Sequence, residues 1–295
     1  MGVRGVGIRS SAHPGYLRRM TSPAAAASTA APDPAAVEVL LIGGGNMGSA
    51  LLAGMIGSGE FLASELGVVE LVEARRAELT ATFPGVIVSA DPVPCRSAIL
   101  AVKPPDAVVA AVAARDAGAT RVLSIAAGVR IDTLQAAVGA AVAVVRAMPN
   151  TPALVGRGAA AIAGGPTTGA ADIEWATRIL GSVGTVDELA EPLLDAFTGV
   201  AGSGPAYLFL VAEALIDAAI AEGIERAVAE RVVRQLLVGS ALLLDRELDP
   251  VRLRAQVTSP GGTTAAGIAV FEERDLRGIV AAAVAAATAR SRELA

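Results

Sequence analysis

The chain has 295 residues, 53% of them hydrophobic and 18% charged, and its 24 basic and 29 acidic side chains leave a net charge of −5. That excludes a disordered protein and a nucleic-acid binder built on a basic face, and it allows about two domains with a sizeable core. The single cysteine, Cys95, makes no intrachain disulfide and fits a reducing, cytoplasmic setting, while the single histidine, His13, leaves no histidine base, no Cys/His pair and no zinc cluster.

Residues 1–34 carry Arg4, Arg9, Arg18 and Arg19 with no acid before Asp33, followed by an Ala/Ser/Thr/Pro run. They read as a disordered N-terminal extension, with a transit peptide as the alternative. From Val37 the pattern alternates. Strands are predicted at Val37–Gly43, Val68–Glu73, Val86–Val88, Ala98–Val102, Arg121–Ile125, Ala143–Ala147, Ala159–Ala163 and Thr185–Leu189. Helices are predicted between them at Met47–Ser58, Arg75–Thr82, Asp106–Ala114, Ile131–Val138 and Ala170–Leu180. Such alternation makes βαβ units and a doubly wound, mostly parallel α/β sheet over residues 35–190.

Beyond Glu191 only helices are predicted: Asp195–Gly199, Gly204–Glu222, Arg226–Arg246, Pro250–Val257, Thr264–Arg274 and Leu276–Glu293. Residues 191–295 therefore form a second, all-helical domain. The helix from Pro205 is apolar nearly all round, but Glu213 and Asp217 interrupt it before about 18 uncharged residues accumulate. Burial against another subunit is the expectation, with no membrane and an obligate homo-oligomer.

The first strand ends in Ile42-Gly43-Gly44-Gly45-Asn46-Met47-Gly48 and runs into a helix. Strand, G-x-G-x-x-G and helix in that order are the dinucleotide fingerprint of a Rossmann fold. Gly43 serves the turn, Gly45 the approach to a pyrophosphate, and Gly48 the packing of helix on strand. Near the end of the second strand Glu73 would bind a ribose 2′-hydroxyl and favour NAD, whereas Arg75 and Arg76 would accept a 2′-phosphate. The two signals conflict.

Ala101, Val102, Lys103 and Pro104 end another strand at the carboxyl edge, where ligands of open α/β sheets bind; Lys103 is the chain's one lysine. Ala126 and Asn150 follow two further strands at the same edge, Asn150 with turn formation before Pro152 as its alternative role. The stretch Val257-Thr-Ser-Pro-Gly-Gly-Thr-Thr-Ala opens a helix. Ser259, Gly261, Gly262, Thr263 and Thr264 there would offer N–H groups and hydroxyls to a carboxylate, the alternative being a plain N-cap turn closed by Ser259 or Thr263.

Taken together, Gly43–Gly48, Leu100-Ala-Val-Lys-Pro104, Ser124-Ile-Ala-Ala-Gly128, Arg146-Ala-Met-Pro-Asn-Thr-Pro152, Gly202-Ser-Gly-Pro-Ala-Tyr207 and Val257–Thr264 resemble the pyrroline-5-carboxylate reductase family from about Val37 onward. The resemblance implies reduction of 1-pyrroline-5-carboxylate to L-proline by NADPH, with NADH as the alternative cofactor, and a helical domain that interlocks into dimers, often assembled into a decamer. It implies that Thr264 hydrogen-bonds the substrate ring nitrogen, that the Ser259–Gly262 loop holds the carboxylate, and that Glu247 lies near the site. Glu73 departs from the serine or asparagine often found near the second strand's end in the family.

The chemistry suits a chain without a usable histidine. A cyclic imine arrives already protonated and accepts hydride directly, so orientation, a carboxylate anchor and a weak polar partner for nitrogen suffice. A β-hydroxyacid dehydrogenase would need a lysine in the helical domain, and no lysine follows Lys103. A non-catalytic nucleotide sensor would need no carboxylate pocket.

Overall fold

A computed structural model describes residues 36–247 and 249–294; the expectations for residues 1–34 lie outside the described residues. All eight predicted strands are present: β1 Val37–Ile42, β2 Leu66–Val69, β3 Ile87–Ser89, β4 Cys95–Leu100, β5 Arg121–Ser124, β6 Ala143–Met148, β7 Gly158–Gly164 and β8 Gly184–Glu188. They form one sheet in the order β3-β2-β1-β4-β5-β6-β7-β8. Every neighbouring pair is parallel except β6–β7. The exception has a simple cause. Only a short 3-10 turn, Thr151–Val155, joins β6 to β7, and a parallel crossover needs a dozen residues or more.

Helices cover both faces. On one, α3 (Ala107–Asp116) and α4 (Ile131–Val138) pack over Leu40, Leu100 and Val122. On the other, α1 (Asn46–Gly57), α2 (Glu73–Thr82) and α5 (Ala170–Gly181) pack over Leu41, Ile99 and Leu123. Leu40 and Leu41 feed opposite cores, so β1 is apolar continuously rather than alternately. Complete burial of each such leucine stabilises the fold by about 1.5–3 kcal/mol. Buried Ala107, Ala111 and Ala114 line one side of α3 and let it approach the sheet closely.

One boundary differs in a way that matters for the site. β2 ends at Val69, and Glu73 is the first residue of α2 rather than the last of a strand. Leu71 and Val72 prolong the apolar pattern of the strand, yet both are exposed. The acid that stands at the end of β2 is Glu70.

After β8 come a 3-10 turn at Glu191–Leu193, α6 (Leu194–Phe197), a π-helical turn at Thr198–Gly202, α7 (Gly204–Ala221), α8 (Arg226–Glu247), α9 (Pro250–Gln256), α10 (Thr263–Glu273) and α11 (Leu276–Glu293). Helix α11 packs back on α6 and the π turn. Two polar links tie this region to the sheet. Arg146 of β6, buried, meets Glu191 at 3.0 Å and Asp195 at 4.0 Å, and Asp195 accepts from Ser291 of α11 at 2.8 Å. Glu191 also accepts the N–H of Ile131 at the start of α4. Breaking such a buried pair by removing one partner costs about 3–5 kcal/mol.

The second link is Asn150. Residue 205 is proline, so the carbonyl of Ala201 lacks the N–H that would close its helical bond. The Asn150 amide donates to that carbonyl at 3.0 Å, and its oxygen accepts the N–H of Ala159 at 2.8 Å.

The outer helices are bare. No residue of α7 or α10 is buried, and α8 buries only Ala229 and Val233. Leu208, Phe209, Leu210, Leu236, Leu243 and Phe271 stand exposed. So many exposed large apolar side chains on these helices point to an interaction surface. The run Glu191–Ala221 is also long and apolar enough to cross a membrane by length and composition.

Candidate active site

The glycine loop sits where β1 ends at the middle of the sheet. The N–H of Gly43 donates to Val69 at 2.9 Å and that of Ala101 donates to Ile42 at 2.8 Å, so three strand ends meet there. Gly43 has φ +108°, and a Cβ on it would lie 2.5 Å from the carbonyl oxygen of Ala101. A Cβ on Gly48 would strike the Gly43 carbonyl oxygen and the Leu41 side chain. Neither glycine needs a ligand to explain it. Gly45 differs: a Cβ there would meet nothing within 4 Å. Its backbone caps α1 with no side chain bonded to the open N–H groups. Those N–H groups, the positive end of the helix dipole and the empty space above Gly45 fit a pyrophosphate. Asn46 is exposed and Met47 half-buried on the first turn of α1.

The loop is braced by the β2–α2 connection. Glu70 accepts the N–H of Gly44 at 3.2 Å and that of Val72 at 2.9 Å. Arg75, half-buried, donates from Nε to the Gly44 carbonyl at 2.8 Å and from Nη2 to the Ser49 hydroxyl at 2.7 Å. Arg76 donates to the carbonyls of Glu70 and Leu71. Glu73 is exposed on the first turn of α2, so Glu70 rather than Glu73 occupies the acidic position beside the loop. The signal was in the sequence. Glu70 directly follows Val68-Val69, the last β-branched pair of the strand, and lies about 20 residues past the loop.

The other edge residues divide. Ala101 and Val102 are half-buried beside Gly43, and Lys103 is exposed ahead of the 3-10 turn Pro104–Asp106. Ala126 is buried in the core, and its N–H donates to the Ser124 hydroxyl at 3.4 Å. Both polar ends of the Asn150 amide are occupied by backbone, which makes it a brace between the sheet and the π turn.

The Ser259–Gly262 turn is of a defined kind. Pro260 stands at its second position, Gly261 at its third has φ +73°, and the N–H of Gly262 donates to Ser259 at 3.1 Å. Proline followed by a positive-φ glycine is the type II pattern. Gly262 then caps α10 with no side-chain hydrogen bond. The alternative, a cap by Ser259 or Thr263, is therefore not made, because the turn delivers a glycine to the cap position. The first N–H groups of α10 and the hydroxyls of Thr263 and Thr264 are left exposed. Glu247, at the end of α8, pairs with Arg252 at 3.4 Å. A cavity of about 370 Å³ flanks the loop, lined by Val251, Arg254, Ala255, Thr258, Ile268 and Glu272. No glycine-loop residue lines it.

The fold and these two loops define a dinucleotide-binding protein with an appended helical dimerisation region. Residues 191–294 match the family model described as pyrroline-5-carboxylate reductase dimerisation. A pyrroline-5-carboxylate reductase of Synechocystis is 42% identical over 267 residues, covering 88% of this chain and 98% of the relative. The solved reductase of Coxiella burnetii superposes with a TM-score of 0.82 at 32% identity, over 88% of this chain and 98% of that one. A Plasmodium falciparum pyrroline carboxylate reductase solved with NADP bound gives 0.74 at 28% identity, over 88% and 98%. The chain belongs to the pyrroline-5-carboxylate reductase family.

Proposed function

We propose that this protein reduces 1-pyrroline-5-carboxylate to L-proline, the last step of proline synthesis, in the cytoplasm. The reductant is NADPH or NADH; the Plasmodium relative solved with NADP bound supports a nicotinamide dinucleotide at the loop. The observation that carries the reading is the uncapped start of α10: a type II turn delivers Gly262 to the cap position and leaves N–H groups and the Thr263 and Thr264 hydroxyls free.

The nicotinamide supplies hydride when bound. Gly45 and the N–H groups of α1 hold the pyrophosphate, with Ile42, Gly43, Gly44, Asn46, Met47, Gly48 and Arg75 shaping the loop around it. Ala101, Val102, Lys103, Pro104 and Ala126 form the rim along which the dinucleotide extends. The backbone of Ser259, Gly261 and Gly262 anchors the substrate carboxylate at the positive end of α10. Thr264 places the ring nitrogen by a hydrogen bond, with Thr263 and Glu247 flanking. An iminium needs no general acid, and positioning supplies most of the acceleration.

In this reading residues 35–190 bind the dinucleotide and residues 191–295 bind substrate and dimerise. The bare faces of α7, α8 and α10 dock on a second copy rather than on a lipid bilayer, and the dimers associate further into a decamer. The Thr258–Thr264 loop is then carried to the nicotinamide across the subunit boundary. The test mixes purified protein with pyrroline-5-carboxylate and NADPH or NADH and follows nicotinamide absorbance. Absence of oxidation with either cofactor sinks the reading.

A further inference from the structure

We propose that Glu70 reads the 2′-hydroxyl of the adenosine ribose and makes NADH the tighter-binding reductant, with NADPH usable but weaker. This deepens the dinucleotide reading and rests on it.

Three observations carry it. The first is placement. Glu70 stands at the carboxyl end of β2, the strand beside β1, and its carboxylate is fixed by the N–H groups of Gly44 and Val72 at 3.2 and 2.9 Å. In a Rossmann fold an acid at that point accepts from the ribose 2′-hydroxyl. Each carboxylate oxygen has more than one acceptor site, so both backbone bonds persist when a hydroxyl joins them. A 2′-phosphate brought there would face a fixed like charge.

The second is the state of the two arginines, the groups that argue for NADPH. The Arg75 guanidinium is spent on the loop: Nε on the Gly44 carbonyl, Nη2 on the Ser49 hydroxyl, and Nη1 on Glu78 at 2.7 Å. Arg76 is turned to the carbonyls of Glu70 and Leu71 at 2.9 and 2.8 Å. All three Arg75 nitrogens are thus engaged with the chain, and Arg76 is held through Nη1. Glu73 and Glu78 lie on the same short helix as the arginines, so with Glu70 the carboxylates outnumber the guanidiniums.

The third is the shelf beside the acid. Leu71 and Val72 are 82% and 60% exposed although they directly follow a buried strand. Exposed apolar side chains next to a hydroxyl acceptor suit an adenine face over a ribose.

Equilibrium titration, read by nicotinamide fluorescence for NADH and NADPH and by calorimetry for the oxidised forms, measures the preference without turnover. NADH is expected to bind about tenfold tighter or better, the scale of one hydrogen bond to a charged group. Glu70→Ser is expected to move the NADH/NADPH ratio by about tenfold or more toward NADPH. Glu70→Gln removes the charge and keeps an acceptor for one of the two N–H groups, and is expected to gain NADPH affinity with a smaller loss for NADH. It serves as the folded control if the serine variant is unstable. Arg75→Ala should weaken both cofactors alike, since it loosens the loop. Wild-type protein binding NADPH as tightly as NADH, or a ratio unmoved in both Glu70 variants, overturns the proposal. Neither cofactor binding would overturn the dinucleotide reading with it. Normal NADH preference without turnover of pyrroline-5-carboxylate would overturn only the substrate assignment.

Discussion

The Gly43–Gly48 loop and the Ser259–Thr264 loop are both glycine-rich turns that open a helix and leave its first N–H groups bare. They differ in what surrounds them. The first is walled by its own chain: Val69, Ala101, Glu70 and Arg75 all bond to or abut it. The second has a turn and a helix and little else, and α10 has no buried residue. A site can thus be complete for one ligand and unfinished for another within a single polypeptide. In the proposed reading dinucleotide binding belongs to the monomer, and catalysis belongs to the pair.

That contrast can be broken most sharply at the apolar face. Leu210 is 65% exposed in the single chain. Leu210→Glu would put an unpaired charge into the subunit contact, costing about 3 kcal/mol or more. Sedimentation should show monomer and turnover should fall on the order of a hundredfold, with cofactor affinity nearly unchanged. A fully active monomer would end the contrast. Next in size is Thr264→Ala, expected to lower kcat about tenfold by loss of one hydrogen bond while leaving dinucleotide affinity intact. Collapse of cofactor affinity instead would put Thr264 in the wrong half.

Gly45→Ala tests the self-contained loop. Its Cβ meets no protein atom, so Tm should hold or rise slightly, while the cofactor Kd rises about tenfold, the worth of roughly one lost backbone contact. An unchanged Kd would show that nothing sits above Gly45. The smallest effect on activity is expected for Asn150→Ala. It leaves Ala201 and Ala159 without partners and should cost about 1–3 kcal/mol of stability, read by denaturant unfolding. A selective rise in substrate KM at unchanged stability would instead return Asn150 to the substrate site.

Much of this was legible from residues alone. The doubly wound, mostly parallel sheet followed from eight apolar runs separated by helical ones, and G-x-G-x-x-G marked the loop. One feature was masked in the sequence and two were not legible, each for a physical reason. Leu71 and Val72 prolong the apolar run but lie beyond the end of β2, so the pattern points to Glu73 where the structure places Glu70. The role of Asn150 depends on a carbonyl orphaned by a proline 55 residues on, 205 minus 150, and no local pattern reports that. The cap of α10 fell to Gly262 because the turn geometry, not the hydroxyl count, decides which residue stands there.

The Arg146 cluster has a thermodynamic consequence. Asp195 sits between an arginine in the sheet and Ser291, in the last turn of the last helix. The C-terminal end of the chain is thereby fastened to the middle of the sheet, and neither half can come apart without exposing charges buried by the other. Heating should give one calorimetric transition in which sheet and helices melt as a single cooperative unit. Arg146→Met would uncouple them into two.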